Sequence, residues 1–240
     1  LLDEFASLPV PALVPAIAES DWLLLLDRYG AVDDLWLALG VHPQYAAGWY
    51  GQSLVKLRRL IHHPKVVAIG EVGLDAGLTN VSMTRQQQVL QDQVRLAVAV
   101  GKPLILHCYK RFGALLQLLR NERADSVGGI VHGFSGSSEV ALQLWQMGFG
   151  IGIGRVILNE RTRRLPKTVI TLPDEALVLE TDAPWPTAVT GGEDGAGALL
   201  HIAERIAVLR GQTLAEVADM TERNARRLLN LSCNNGKVSS

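Results

Sequence analysis

The sequence predicts an α/β fold, a parallel (β/α)8 TIM barrel, and three observations carry that reading. Short apolar runs alternate along the chain with longer amphipathic ones, the pattern of repeated strand–helix units. The apolar runs are nearly continuous in Val, Ile and Leu, as expected of strands covered on both faces. Four of them end on a residue able to bind a divalent ion. Val66–Ile69 leads into Gly70-Glu71, Pro103–Leu106 into His107, Gly129–Val131 into His132, and Ala176–Leu179 into Glu180-Thr181-Asp182. In a parallel barrel such strand ends share one rim, where the active site is built.

In chain order, strands are expected over Val10–Ile17, Leu35–Leu39, Val66–Gly70, Pro103–His107, Gly129–His132, Phe149–Ile153 and Leu177–Thr181. Helices lie between and after them. Ser53–His62 gathers Leu54, Leu57, Leu60 and Ile61 on one face, Thr84–Val100 ends before Gly101, and Ser137–Met147 stops at Gly148. Gly191–Gly197 reads as a flexible loop, Leu199–Leu209 and Leu214–Leu231 as closing helices, and Ser239-Ser240 as a frayed tail. These runs are one strand short of a barrel, whose usual length is about 250 residues. The first strand is therefore expected to be missing from this chain, its place lying before Leu1. A doubly wound open sheet would tolerate the shortfall, but it gathers ligands at one switch point and not at four separate strand ends. The whole chain, 1–240, is expected to form one domain.

The bulk composition narrows the function classes. With 23 basic and 24 acidic residues the net charge is −1, so no global field draws the protein to long duplex or to anionic lipid. A local metal site can still supply positive charge for a phosphate substrate. Cys108 and Cys233 form no disulfide framework, which makes a reducing cytoplasm the default expectation. No apolar stretch reaches the length of a membrane span, Trp22–Leu26 being far too short, so no membrane partner is expected. Oligomeric state is left open.

Each candidate residue has a plainer reading beside the chemical one. Glu71, flanked by Gly70 and Gly73, is either a turn carboxylate or a ligand able to bridge two ions. A lone His after an apolar run is more often a core residue, but His107 and His132 on neighbouring strands would point into one mouth. Imidazole suits zinc and manganese alike. Asp182 reads as an Asx turn before Pro184, or as a ligand that also takes the proton of an attacking water. Glu180 is expected to face the opposite side of its strand from Asp182, and Asp75 to cap a loop. His42, just past its strand, is better placed for substrate than for metal, and His62, His63 and His201 read as solvated or structural. The glycines of Gly148–Gly154 alternate by two with no helix start behind them, so they suit a tight barrel strand and not a dinucleotide site. Arg161-Thr162-Arg163-Arg164 reads first as a solvated run. Cys108 follows His107 and should point away from the mouth.

Taken together, Gly40-Val41-His42-Pro43, Gly70-Glu71-Val72-Gly73-Leu74-Asp75, Pro103-Leu104-Ile105-Leu106-His107, His132-Gly133-Phe134-Ser135-Gly136 and Glu180-Thr181-Asp182-Ala183-Pro184 resemble, in order, the signatures of the TatD family of metal-dependent deoxyribonucleases. Asn224 also resembles a family position. The resemblance implies a barrel of the metallo-dependent hydrolase type that hydrolyses phosphodiesters with up to two divalent ions, Mg²⁺, Mn²⁺ or Zn²⁺. It implies metal ligands at Glu71, His107, His132 and Asp182, catalytic roles for Asp182 as general base and Glu71 as bridge, and a site residue that is not a ligand at His42. Lys110 and Arg111, just past His107, are the expected side-chain phosphate contacts, and nucleic acid or a small phosphodiester the expected partner. Two departures stand out. The family's first strand ends in a His-x-His pair absent from this sequence, and the Gly-rich, acidic Thr187–Gly197 replaces an Asn-x-Pro-like segment. Two other readings remain: a lactonase or phosphotriesterase on a related barrel, which would carry a modified lysine where Glu71 stands, and a catalytically impaired barrel lacking its first strand.

Overall fold

In the computed structural model, residues 11–183 and 196–231 are described. Seven parallel strands form one sheet in sequential order: β1 (Ala12–Pro15), β2 (Leu35–Leu39), β3 (Val66–Asp75), β4 (Leu104–Tyr109), β5 (Gly129–Val131), β6 (Phe149–Ile153) and β7 (Leu177–Leu179). Each strand pairs only with its sequence neighbours, so β1 and β7 are the sheet's edges among the described residues. Around it lie α1 (Asp21–Tyr29), α2 (Gly51–Leu60), α3 (Met83–Val100), α4 (Phe112–Asn121), α5 (Ser138–Gln146), α6 (Arg164–Thr171), α7 (Ala196–Arg210) and α8 (Leu214–Leu228). Among the described residues the sheet shows the expected barrel architecture with seven strands.

Local chemistry explains most boundaries. Ser82 caps α3 by accepting the Arg85 amide, two residues before the expected polar cap at Thr84, and Gly101 ends it with a left-handed φ of 68°. Ser137 caps α5, and Thr213 with Glu216 forms a capping box on α8. α1, α4 and α6 were not among the expected helices. Of the expected Gly191–Gly197 loop, Gly197 instead lies inside α7 and residues 191–195 fall outside the described residues, as do Val10, most of Thr187–Gly197, Cys233 and Ser239-Ser240.

Strand alternation divides the core in two. Leu35, Leu37, Leu39, Ile69, Leu104, Leu106, Val131, Ile151 and Leu177 face outward and pack under the helices. Ala38, Ala68, Ile105, Ile130 and Val178 meet each other on the concave face, which requires the sheet to curl round on itself. The space they leave is filled by Leu228 and Leu229 from the end of α8. Asn224 ties this helix to β7, its amide donating to the carbonyls of Asp174 at 2.6 Å and Leu177 at 2.9 Å. Arg226 reaches across to stand 6.0 Å from the Trp36 ring of β2. The Asn224 position thus serves the closed end of the curl and not its mouth. Among the described residues no helix is long and apolar enough to cross a membrane.

Candidate metal centre

Glu71 enters the mouth because β3 is irregular. Against β4, Ile69 pairs with Leu104 but Val72 with Leu106, so β3 carries one extra residue at Gly70-Glu71. Simple alternation would put Glu71 on the outer face with Ile69. The bulge absorbs one step, returns Val72 to the outer core and turns Glu71 inward. Gly70 permits this, since a Cβ there would stand 2.5 Å from Ile105 Cβ. The Glu71 amide donates to Ala16 O at 2.8 Å, tying the bulge back to the end of β1.

Three imidazoles converge on the resulting carboxylate. His132 Nε2 lies 2.6 Å from Glu71 Oε1, His107 Nδ1 3.2 Å and His42 Nε2 3.4 Å. His107 Nδ1 and His132 Nε2 also face each other at 3.1 Å, so only one of the two can carry a proton there. Burial would raise the Glu71 carboxyl, but the facing imidazoles of His107 and His132, with the positive charge on His132, outweigh it and hold Glu71 well below the usual carboxylate range. His132 shows the reciprocal effect: burial opposes its charge, yet Glu71 lifts it to about 9, so the metal-free centre is an ion pair at neutral pH. His42 is lowered to about 4, chiefly by burial, with the charges of His107 and His132 adding to it against the pull of Glu71.

These residues fit a divalent ion. Ligand atoms of His42, Glu71 and His107 lie within 4.8 Å of one another. The set is mixed nitrogen and oxygen, which suits zinc or manganese without choosing between them. His107 and His132 turn nitrogens toward each other around a carboxylate, an arrangement in which a cation replaces a shared proton. His42 differs. Its Nδ1 accepts the Gln44 amide at 3.1 Å, so in the neutral ring Nε2 carries the hydrogen and presents a donor, not a lone pair.

β7 brings up the other carboxylates. Glu180 faces the concave side, where its Oε1 accepts the Gly133 amide at 2.5 Å. This overturns the expectation that it turns away from Asp182: residues two apart share a face, which the sequence spacing already implied. A Cβ on Gly152 would collide with the Glu180 carboxylate and stand 3.0 Å from His132 Cα, so Gly152 and Gly154 form the slot that Glu180 fills, while Gly150 makes room for Leu228. Burial pushes Glu180 up to about 7. Asp182 has a left-handed φ of 55° and is partly exposed at the rim. Partial enclosure by the mouth, together with Glu71, raises its carboxyl against the pull of His132 and His107.

Residues 10–230 match the family model described as TatD related DNase. The chain belongs to that family. It is 33% identical over 202 residues, covering 83% of this chain and 79% of the relative, to the uncharacterized metal-dependent hydrolase YabD of Bacillus subtilis. It is 33% identical, over 83% of this chain and 80% of the relative, to the 3'-5' ssDNA/RNA exonuclease TatD of Erwinia tasmaniensis. Among solved structures, the TatD homolog YJJV of Escherichia coli superposes with a TM-score of 0.87 at 31% identity, covering 96% of this chain and 93% of that one. With a His/Glu cluster at the mouth, the chain is a TatD-type metal-dependent hydrolase.

The remaining site expectations sort by distance from the cluster. Lys110 and Arg111 are exposed at the end of β4, and Lys110 Nζ lies 4.8 Å from the Tyr109 ring centre. Cys108 is buried among the outer core residues, away from the mouth, and burial pushes its thiol up to about 12. Arg161, Arg163 and Arg164 are exposed where the chain passes from β6 to α6. Sequence reasoning missed two buried glutamines on α3. Gln93 accepts the Val41 amide at 2.8 Å and donates to the Val41 carbonyl at 3.1 Å, beside His42. Gln86 does the same for Asp75, at 2.8 and 3.1 Å. Their signal was available: they occupy polar positions seven apart on the apolar face that also carries Val89, Leu90 and Val94.

Proposed function

We propose that this chain hydrolyses phosphodiester bonds, as a deoxyribonuclease acting on the ends of single strands, with Glu71, His107, His132 and Asp182 as the protein ligands of one or two divalent ions. The observation that supports it most is the convergence of His107 Nδ1 and His132 Nε2 on Glu71 Oε1 within a family whose named relatives include 3'-5' ssDNA/RNA exonucleases. When bound, a divalent ion supplies Lewis-acid polarisation of the phosphoryl group and lowers the pKa of water toward about 7.

The chain's own residues do the rest. Asp182, at the solvent side of the mouth with a raised carboxyl, takes the proton of the attacking water. His42, with its hydrogen on Nε2 and charge suppressed by burial, donates to a phosphoryl oxygen as a neutral group. Lys110 and Arg111 hold neighbouring phosphates from the end of β4. The near-neutral total charge suits an enzyme that grips a few phosphates and does not wrap duplex.

Hydrolysis of 3'-labelled and 5'-labelled single-stranded DNA, RNA and duplex, with Mg²⁺, Mn²⁺ or Zn²⁺ and after chelation, tests this reading. It stands if single strands are degraded only with metal and if Glu71→Ala and His132→Ala abolish the reaction. Full metal-dependent activity in both variants refutes the ligand assignment, and turnover of esters or lactones without nuclease activity refutes the substrate.

A further inference from the structure

We infer that Asp75 is a positioning residue that fixes the proton of His107 on Nε2 and thereby turns the Nδ1 lone pair toward Glu71 and His132. The inference rests on the metal-centre reading above and extends it to a residue that the motif alone suggests is a loop cap.

A neutral imidazole carries one hydrogen, and the group facing one ring nitrogen decides which. A carboxylate faces each ring nitrogen of His107 at 3.2 Å, Asp75 Oδ2 at Nε2 and Glu71 Oε1 at Nδ1, but Glu71 Oε1 has a nearer donor in His132 Nε2 at 2.6 Å, so the His107 proton goes to Nε2 and Asp75. That leaves Nδ1 with its lone pair, 3.2 Å from Glu71 Oε1 and 3.1 Å from His132 Nε2. His42 is sorted the opposite way by the Gln44 amide on its Nδ1. Two histidines with ring centres 4.4 Å apart are thus assigned different work, one to ligate and one to donate, by what stands behind each.

Asp75 is held firmly enough to make that choice. Its other oxygen, Oδ1, accepts the Gly77 amide at 2.6 Å, which is the loop-capping role. Its main-chain N–H and C=O are both bound by Gln86, which is 1% exposed and also donates to Val81 O at 3.1 Å. A buried amide with every bond committed to the Asp75–Val81 segment leaves Asp75 little freedom to follow His107; the ring must follow the carboxylate. A carboxylate behind a ligating imidazole raises its basicity and fixes its plane, and losing such a partner costs about 10–100-fold in metal affinity.

The test is spectroscopic and thermodynamic. Long-range ¹H–¹⁵N correlation spectra of the zinc-loaded chain should show His107 protonated at Nε2 and ligated through Nδ1. Competition with a chromophoric chelator should show Asp75→Ala binding zinc about 10–100-fold more weakly, with the His107 Nε2–H signal lost to solvent exchange. Asp75→Asn, which keeps an acceptor oxygen, should restore part of the affinity and the signal. A parent spectrum with His107 ligated through Nε2 overturns the inference whether or not the Ala variant folds. So does an Asp75→Ala protein with parental zinc affinity and an unchanged His107 spectrum. A parent chain that binds no zinc, manganese or magnesium removes the metal-centre reading itself and this assignment with it, an outcome distinct from zinc bound through the wrong nitrogen.

Discussion

On the β3–β4 side of the mouth Glu71 and His107 are held from behind, whereas on the β7 side the carboxylates have fewer ties. Asp75 stands behind His107, the bulge amide ties Glu71 to Ala16, and Gln86 and Gln93 brace the neighbouring backbone from α3. On the other side Glu180 has the Gly133 amide, and Asp182 stands partly exposed in a left-handed conformation. The comparison teaches a division of labour. Glu71 and His107, whose geometry tolerates little error, stand on the long, paired β3 and β4, while Asp182, which must also give and take protons with solvent, is left at the edge.

The comparison can be broken from either side. Glu71→Ala should have the largest effect: metal binding lost, activity down by about a thousandfold or more, and the metal-free protein destabilised by about 3–5 kcal/mol through the stranded His132. In that variant the His132 titration, followed by NMR, should fall from about 9 toward or below its ordinary value. Parental metal affinity would show that the braced side does not bind the ion.

Asp182→Asn should behave differently, keeping metal affinity within about tenfold while kcat falls by about 10²–10⁴, the size of a general-base effect. If affinity collapses as far as in Glu71→Ala, the two sides are one unit and the contrast fails.

pH provides two further probes. His132 holds its proton up to about 9 without metal, so metal binding near pH 7.5 should release close to one proton from it, and affinity should rise with pH up to that value. Calorimetry in buffers of different ionisation enthalpy measures this directly; no release would contradict the ion pair with Glu71. Glu180 works in the opposite sense. Its carboxyl is raised from 4.5 to about 7, so the folded state holds that proton more tightly, and the advantage present below 4.5 is lost as pH rises through about 7. Glu180→Gln should remove that decline, worth on the order of 3 kcal/mol, from the denaturant-measured stability of the metal-free chain. Lys110→Ala should matter least, raising KM a few-fold at low salt with kcat unchanged, a difference that vanishes at high salt.

The order of the strands and the family were legible without coordinates. A buried parallel strand is a continuous apolar run whose position any reader of the chain can mark, and the motifs at β2, β3, β4, β5 and β7 are each contiguous in sequence. Helices were legible where a capping side chain punctuates them, as at Ser137, and not in α1, α4 and α6, whose N-terminal residues make no side-chain cap bond. Four ligand types at strand ends were visible too, but not which way they face. Glu71 points inward only because β3 slips by one residue against β4, and Asp75 meets His107 only because those two strands pair in that register. Side-chain facing depends on register between segments far apart in sequence and on the close approach that Gly70 and Gly152 permit. The choice of proton on each imidazole depends in turn on one neighbour behind each ring. The chain therefore names its candidate site residues in its own sequence, and only packing decides which nitrogen or oxygen each one presents.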